Sequence, residues 1–280
     1  MGLPHRENAS LVGWHFHEGF EILFLLEGAT TYEFKSGETV ELHGGEFLVV
    51  PPLSVHRGKH DVRSPSRICG LALTANIELA GKNTTFTHAN LVHLRQSFQK
   101  SAMAVHPLNA ALRENIQRLM GEADAYWNQP NDEVSHAALR TLICATLMEA
   151  IRQIHSPSLK PDRIVAAAIA YLNQHYLEPL SVAKLGEFLG YSRSRTFELF
   201  KSQTGLTPKD YLVRVRVEKA EELLRQTRRS IIDIAHSVGF NSSQYFSTVF
   251  RRYTGQTPAE FRQNSKNGDG REPKITPLRR

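Results

Sequence analysis

The run Trp14-His15-Phe16-His17, with Glu21 close behind, gathers two imidazoles and a carboxylate into one short stretch. Side chains at i and i+2 of a strand share a face, and Glu21 joins them if the strand is regular. These groups suit a divalent metal, with zinc, manganese, iron or nickel all admissible by ligand type. They suit equally a polar pocket that holds a small organic molecule without metal. With 13 His in the chain, simple packing or solvent exposure is a third reading, and composition does not choose among the three. No Gly-rich phosphate loop and no nucleophile elbow occurs, so phosphoryl transfer and serine-type acyl chemistry have no signature here.

A second constellation is a duplication. Residues 181–212 read SVAKLGEFLGYSRSRTFELFKSQTGLTPKDYL, and residues 230–262 read SIIDIAHSVGFNSSQYFSTVFRRYTGQTPAEFR. A repeat fixes the unit of structure, and this unit is helix, tight turn, helix. Ser181 and Ser230 are placed to cap the first helix of each copy, and Gly190 and Gly239 to take a left-handed turn. Ser192 and Ser242 then cap the second helix, and Gly205 and Gly255 stop it. Pro208 and Pro258 open the helix that follows. The second helices, 193–204 and 243–254, carry polar and basic side chains, as a module that reads a DNA groove requires.

Between the copies, Pro208–Gln226 reads as one helix with Leu212, Val213, Val217, Ala220, Leu223 and Leu224 on a broad face. At about 1.5 Å per residue it is roughly 28 Å long, against about 34 Å for one turn of B-DNA. Such a rod suits two reading helices in successive major grooves on one side of a duplex. Charge agrees: residues 160–280 hold 21 Lys and Arg against 12 Asp and Glu, whereas 1–159 hold 13 against 16. The basic half is the part expected to meet a polyanion, and no free-standing cationic helix points to a membrane instead. Cys69 and Cys144 are too few for a disulfide framework, which fits a reducing cytoplasm. No leader is expected, and the longest apolar run, Ile22–Leu26, is too short to span a bilayer.

The N-terminal third has the period of strands. EILFLLEG, TTYEFKSG, TVELHGGEFLVVPP and RICGLALTA are β-rich runs broken by glycine, proline or charged turns, which predicts a small antiparallel barrel. The stretch GETVELHGGEFLVVPPLSVH describes a hairpin and then a strand that ends at Pro51-Pro52. The expected fold class is two-domain α+β. An antiparallel barrel with two helices comes first, followed by an all-helical domain of two helix-turn-helix units joined by a long helix.

These stretches carry a resemblance. Residues 162–262 are similar to the DNA-binding domain of AraC/XylS-type bacterial transcription regulators, most specifically in IAHSVGF and YFSTVFRRYTGQTPAEFR. The strands before them resemble the cupin-like effector domain of that family. The resemblance implies that 162–176 is the first helix of the DNA-binding domain, with Val165, Ala168, Ile169, Leu172 and Tyr176 as its buried stripe. It also implies that helices 193–204 and 243–254 enter the major groove. Base-reading positions are then Arg193, Ser194, Arg195, Phe197 and Glu198 in the first copy, and Ser243, Gln244, Ser247 and Thr248 in the second. Gln244 is suited to adenine, Glu198 to cytosine, Phe197 to a thymine methyl and the arginines to guanine. Lys201, Arg251 and Arg252 lie further along, where phosphate contact sets register. Thr196 stands where the family usually buries Leu or Phe, as Phe246 does.

In the barrel, Gly45, Pro51 and His56 fall at the spacing of the second cupin motif. The resemblance thereby adds His56 to His15, His17 and Glu21 as a shared metal or effector-pocket set. The match departs at Leu53, where glycine is usual, and at His60, where asparagine is usual. The implied function is a regulator, typically an activator, that responds to a sugar or related metabolite in the barrel and requires no cofactor. Its implied partners are double-stranded DNA, RNA polymerase and a second copy of the chain. The alternative is a metal-dependent cupin enzyme, an isomerase or dioxygenase, tethered to a DNA-binding module.

The expected organisation is a barrel over 1–105, a helical hairpin over 106–157, the DNA-binding domain over 158–264 and a disordered polar tail over 265–280. The hairpin is read from helices 108–128 and 132–155, with stripes Leu108, Leu112, Ile116, Leu119, Ala123 and Leu139, Leu142, Ala145, Met148, Ile151. It either covers the barrel or pairs with a second subunit, and the sequence leaves both open. Ser156–Pro161 reads as a linker.

Overall fold

A computed structural model describes residues 10–59, 62–74, 84–128, 132–156, 163–266 and 276–277. Most of the expected linker (157–161) and of the expected tail therefore lies outside the described residues, as does His60.

Strands β1 (Ser10–Leu11), β2 (His15–Phe16), β3 (Phe20–Phe34), β4 (Thr39–His43), β5 (Glu46–Val50), β6 (His56–Gly58), β7 (Val62–Arg63), β8 (Ser66–Leu73) and β9 (Val105–Pro107) build the N-terminal half, and β10 (Thr276–Pro277) joins it from the far end of the chain. All pairings are antiparallel except that of β10 with β2. EILFLLEG and TTYEFKSG were expected as separate strands, but they form one, β3. Gly28 takes φ 94° and the pairing with β8 slips between Leu25 and Glu27, so the glycine bends the strand without ending it. The first part of β3 pairs with β5 and β8, and the second part with β4 and β6.

Because β3 serves two layers, its two faces enter different cores. Phe20, Ile22, Phe24 and Leu26 pack with Phe47, Val49, Cys69 and Leu71 beneath the helices. Leu23, Leu25, Tyr32 and Phe34 pack inward against Leu42, Leu48, Val50 and Ile68. A strand buried on both sides has no reason to alternate, which explains the continuous apolar run Ile22–Leu26. The expected antiparallel fold is present, but among the described strands the hydrogen-bonded path runs β10-β2-β6-β3-β5-β9, with β4 and β8 branching from β3, and does not close into a barrel. The two layers fold over a shared strand.

Three helices cover the outer layer: α1 (His88–Lys100), α2 (Ala110–Asn128) and α3 (Glu133–His155). Leu91 and Leu94 of α1 are buried with its Phe98, and Leu112, Ile116, Leu119, Leu139, Leu147, Ala150 and Ile151 of the hairpin enter the same core as β3. Of the two roles left open for the hairpin, covering the sheet is thus realised. Helix α3 is long and apolar enough to cross a membrane by composition, but its buried stripe is used in this core. Helix α1 was not anticipated, although Thr87 and Asn90 form a capping box at its start.

The C-terminal half is helical: α4 (Arg163–Gln174), α5 (Val182–Leu189), α6 (Arg193–Thr204), α7 (Pro208–Gln226), α8 (Ile231–Ser237), α9 (Ser243–Thr254) and α10 (Pro258–Lys266). Ser181, Ser192, Ser230 and Ser242 each accept a backbone N–H at a helix start, and Gly205 and Gly255 end α6 and α9 in the left-handed region. Two cores result. Val165, Ala168, Leu172, Leu185, Phe200, Tyr211 and Val215 form one, and Val217, Ala220, Leu224, Ile234, Phe246 and Phe250 belong to the other.

The halves meet where α6 ends. The Gly28 N–H donates to the Gly205 carbonyl at 3.4 Å, and Gly44 in the β4–β5 turn lies against Gly205. Arg214 on α7 pairs through Nη2 with Glu41 of β4, and through Nε at 2.9 Å with Glu218. Gly190 (φ 75°) has open space where a Cβ would go, whereas a Cβ on Gly205 (φ 65°) would stand 2.6 Å from the Gly44 Cα and 3.0 Å from the Glu27 Cα. Gly190→Ala is therefore expected to cost about 1–2 kcal/mol, the left-handed penalty alone. Gly205→Ala adds a backbone overlap of about 1–3 kcal/mol. Urea unfolding of both variants checks this, and equal losses would show that the contact is not formed in solution.

Candidate functional site

Three elements assemble the histidine cluster. His15 lies on β2 opposite His56 on β6, and Glu21 lies on β3 opposite Val50 and Ala72. The expectation that one regular strand aligns His15, His17 and Glu21 is corrected. The chain leaves the sheet at His17–Gly19 and re-enters at Phe20, and Gly19 lies so close to the Leu73 carbonyl that a side chain there would have no room. The turn nevertheless brings ligand atoms of His15, His17 and Glu21 within 4.8 Å of one another. His56 joins from across the sheet. Its Nε2 stands 3.0 Å from Glu21 Oε2, while His17 Nε2 stands 3.4 Å from Glu21 Oε1, and the His15 and His56 rings are 4.2 Å apart.

The electrostatics are those of an assembled ligand set. His17 Nε2, His56 Nε2 and Glu21 Oε2 are buried with no aligned hydrogen bond. His15 Nδ1 lies 2.8 Å from the Gly13 carbonyl and His56 Nδ1 2.9 Å from the Ser54 carbonyl. These outward Nδ1 bonds turn the Nε2 atoms of His15 and His56 inward, the arrangement that orients imidazoles towards a metal. Burial, together with the neighbouring His56, lowers the His15 pKa. Burial pushes the Glu21 carboxyl up, but His17 and His56 outweigh it and hold the group well below the ordinary carboxylate range. Tyr32 and Phe34 back the His56 ring, and Arg57, bonded to Glu33 at 2.8 Å, covers the Trp14 ring at 4.5 Å. At the position where glycine is usual, Leu53 takes φ 63° and donates its N–H to the His17 carbonyl at 2.8 Å. The departure in sequence is thus absorbed as a left-handed leucine.

The other site is the outer face of α6 and α9. Arg193, Ser194, Arg195, Phe197, Glu198 and Lys201 are exposed on α6, with Phe197 39% exposed. Gln244, Thr248, Arg251 and Arg252 are exposed on α9, and Ser243 and Ser247 are half-buried beside them. The Ser247 and Thr248 hydroxyls bond back to the carbonyls of Ser243 and Gln244 at 2.9 and 3.1 Å. Behind this face, Thr196 and Phe246 occupy matching buried positions. Gly186 on α5, which aligns with Ala235 on α8, lies against Thr196, where a Cβ would stand 3.2 Å from the Thr196 hydroxyl oxygen, and that hydroxyl donates to the Ser192 carbonyl at 2.9 Å. Tyr245, 52% exposed beside Gln244, belongs to the same face. It was not among the expected base-reading residues, although its position in the first copy holds the exposed Arg195.

Residues 6–71 match the family described as Cupin domain, and residues 185–264 match that described as Helix-turn-helix domain. The HTH-type transcriptional activator RhaS of Enterobacter sp. (strain 638) is 27% identical over 255 residues, covering 89% of this chain and 87% of the relative. The raffinose operon transcriptional regulatory protein RafR of Pediococcus pentosaceus is 22% identical over 261 residues, covering 92% and 89%. Among solved structures, the C-terminal domain of AraT from Geobacillus stearothermophilus is 30% identical over 40% of this chain and 94% of that one, with a TM-score of 0.37. A cupin domain followed by a duplicated helix-turn-helix, in the order of regulators that align along nearly the whole chain, makes this protein a member of the AraC/XylS-type transcription regulators, which bind double-stranded DNA.

Proposed function

We propose that the chain is a cytoplasmic transcription activator, not an enzyme, whose barrel-like domain senses a sugar or related polyhydroxylated metabolite at His15, His17, Glu21 and His56. The observation that carries this reading is the set of buried, inward-facing Nε2 and carboxylate atoms without aligned partners. Buried polar groups are normally satisfied, and a ligand rich in hydroxyls, or a metal that itself binds them, would satisfy these. The name of the raffinose operon regulator supports a sugar as the class. RNA polymerase and a second copy of the chain are proposed as further partners.

The four residues fit a divalent metal by ligand type and by the outward Nδ1 bonds of His15 and His56. Bound there, it would act as a Lewis acid that holds vicinal hydroxyls. The ligand set is also what favours the second reading, a metal-dependent isomerase or dioxygenase. Consumption of the sugar by purified protein, lost on chelation, distinguishes that reading. His17→Ala is expected to abolish the effector's influence on a reporter promoter while leaving DNA affinity nearly intact. A variant that still responds fully removes these side chains from the sensing site.

On DNA, α6 and α9 are proposed to read successive major grooves, with Arg193, Ser194, Arg195, Phe197, Glu198, Ser243, Gln244, Ser247 and Thr248 on bases and Lys201, Arg251 and Arg252 on phosphates. Gln244→Ala is expected to relax preference at one base pair at a cost of about 1–3 kcal/mol. Arg251→Ala is expected to weaken all sequences alike and to flatten the log–log salt slope by about 0.9. Binding to base-substituted sites across a salt series measures both, and the reverse pattern would take α9 out of the groove.

A further inference from the structure

Helix α7 is divided between two cores. Tyr211 and Val215 pack with α4, α5 and α6, whereas Val217, Ala220 and Leu224 pack with α8, α9 and α10. Apolar packing is non-directional, so it fixes how far apart the two reading units lie more firmly than how one is turned relative to the other. Arg216 sits at the seam, between Val215 of one core and Val217 of the other. Its Nε donates to the Tyr176 carbonyl at 2.7 Å, and its Nη2 donates to the Glu178 carbonyl at 2.7 Å. Both acceptors follow the end of α4, in the first unit. The same guanidinium lies against the turn of the second unit. A Cβ on Gly239 would stand 2.9 Å from Nε and 3.0 Å from Cζ, and the Phe240 ring centroid is 6.0 Å away. The two copies differ at this glycine: Gly190 has open space, whereas Gly239 faces Arg216.

We propose that Arg216 is a positioning residue for DNA recognition: it locks the rotational setting of the two reading units, and so dictates the spacing of the two half-sites. The inference rests on the two-headed reading above. One rigid plane is held by two carbonyls of the first unit and pressed against the backbone of the second. That fork is a property of arginine, which the single ammonium of lysine does not reproduce. The two heads act as linked binders whose effective concentration depends on how well the link matches the span. Each base pair added between half-sites turns the second groove by about a tenth of a turn, so a rigid link selects one spacing and a loosened link tolerates several.

The test uses the full chain. Duplexes selected by the wild-type protein from a random library define the site, and a series with one or two base pairs inserted or removed between half-sites is then bound by wild type, Arg216→Lys and Arg216→Ala. Circular dichroism and Tm establish that each variant folds, and Arg216→Lys keeps the charge should Arg216→Ala not fold. Wild type is expected to lose affinity steeply away from its own spacing. The variants are expected to bind about tenfold more weakly at that spacing, with a flattened spacing profile and with salt slope and isolated half-site affinity unchanged. A folded variant with the wild-type profile overturns the proposal, and so does a reduced salt slope, which would make Arg216 a phosphate contact. Selection of a single half-site by wild type overturns the two-headed reading and this inference with it.

Discussion

The constraint on which the DNA-binding half depends is that one helix, α7, is buried in two cores at once. A helix exposed on one side tolerates sliding, because only one stripe is fixed. Here Tyr211 and Val215 commit one side to the first unit, and Val217, Ala220 and Leu224 commit another to the second, so the rod belongs to both cores and holds the two units at one separation. The N-terminal half solves the same problem with β3. Its even-numbered residues Ile22, Phe24 and Leu26 face the helices, and Leu23 and Leu25 face the second layer. Each half is thus a pair of layers with one shared element, and deleting a large side chain from either shared element opens two neighbours' packing.

The two shared elements are linked by charge. Arg214 is almost wholly buried on α7, yet stays a cation. Burial opposes its charge, and Glu218 and Glu41 outweigh burial and raise its pKa. Glu41 is on β4, which pairs with the second part of β3. Close by, burial pushes the Glu221 carboxyl up to about 7 despite the opposing influence of Lys59. A small cavity of about 50 Å³, of mixed polar and apolar lining, is bordered there by Thr31, Lys59, Val217, Glu221, Tyr253 and Phe261. A buried arginine held by partners from both halves is weak evidence for stability, but it makes their registry specific, since loss of either partner leaves a charge poorly compensated.

How much of this was legible in the sequence follows from where the information lies. The helix ends of the repeat were readable because capping is local: Ser192, Ser242, Gly205 and Gly255 announce α6 and α9 to the residue. The members of the histidine cluster were readable as a motif, but the path that assembles them was not, since the close approach of Gly19 to the Leu73 backbone joins residues far apart in sequence. Gly28 was expected to end a strand because a glycine can mark either a turn or an irregular position inside a strand, and here, at φ 94°, it is the second. Helix α1 was not anticipated, although Leu91, Leu94 and Phe98 have helical spacing. The contacts between Gly44 and Gly205, and between Arg216 and Gly239, are made by or against backbone and leave no pattern in side-chain chemistry.

The two reading units are consequently not equivalent, despite their common origin in a repeat. The first packs through small residues, Thr196 on α6 against Gly186 on α5, and its C-terminal glycine rests on the sheet at Gly28 and Gly44. The second packs through Phe246, Phe250 and Phe240, a larger aromatic core that owes less to its surroundings. The bend of β3 at Gly28 lies between the pairing that holds Glu21 and the pairing that holds Glu41. The end of α6 rests on that strand directly, whereas Tyr253 of α9 faces Thr31 and Lys59 of the N-terminal half across the small cavity.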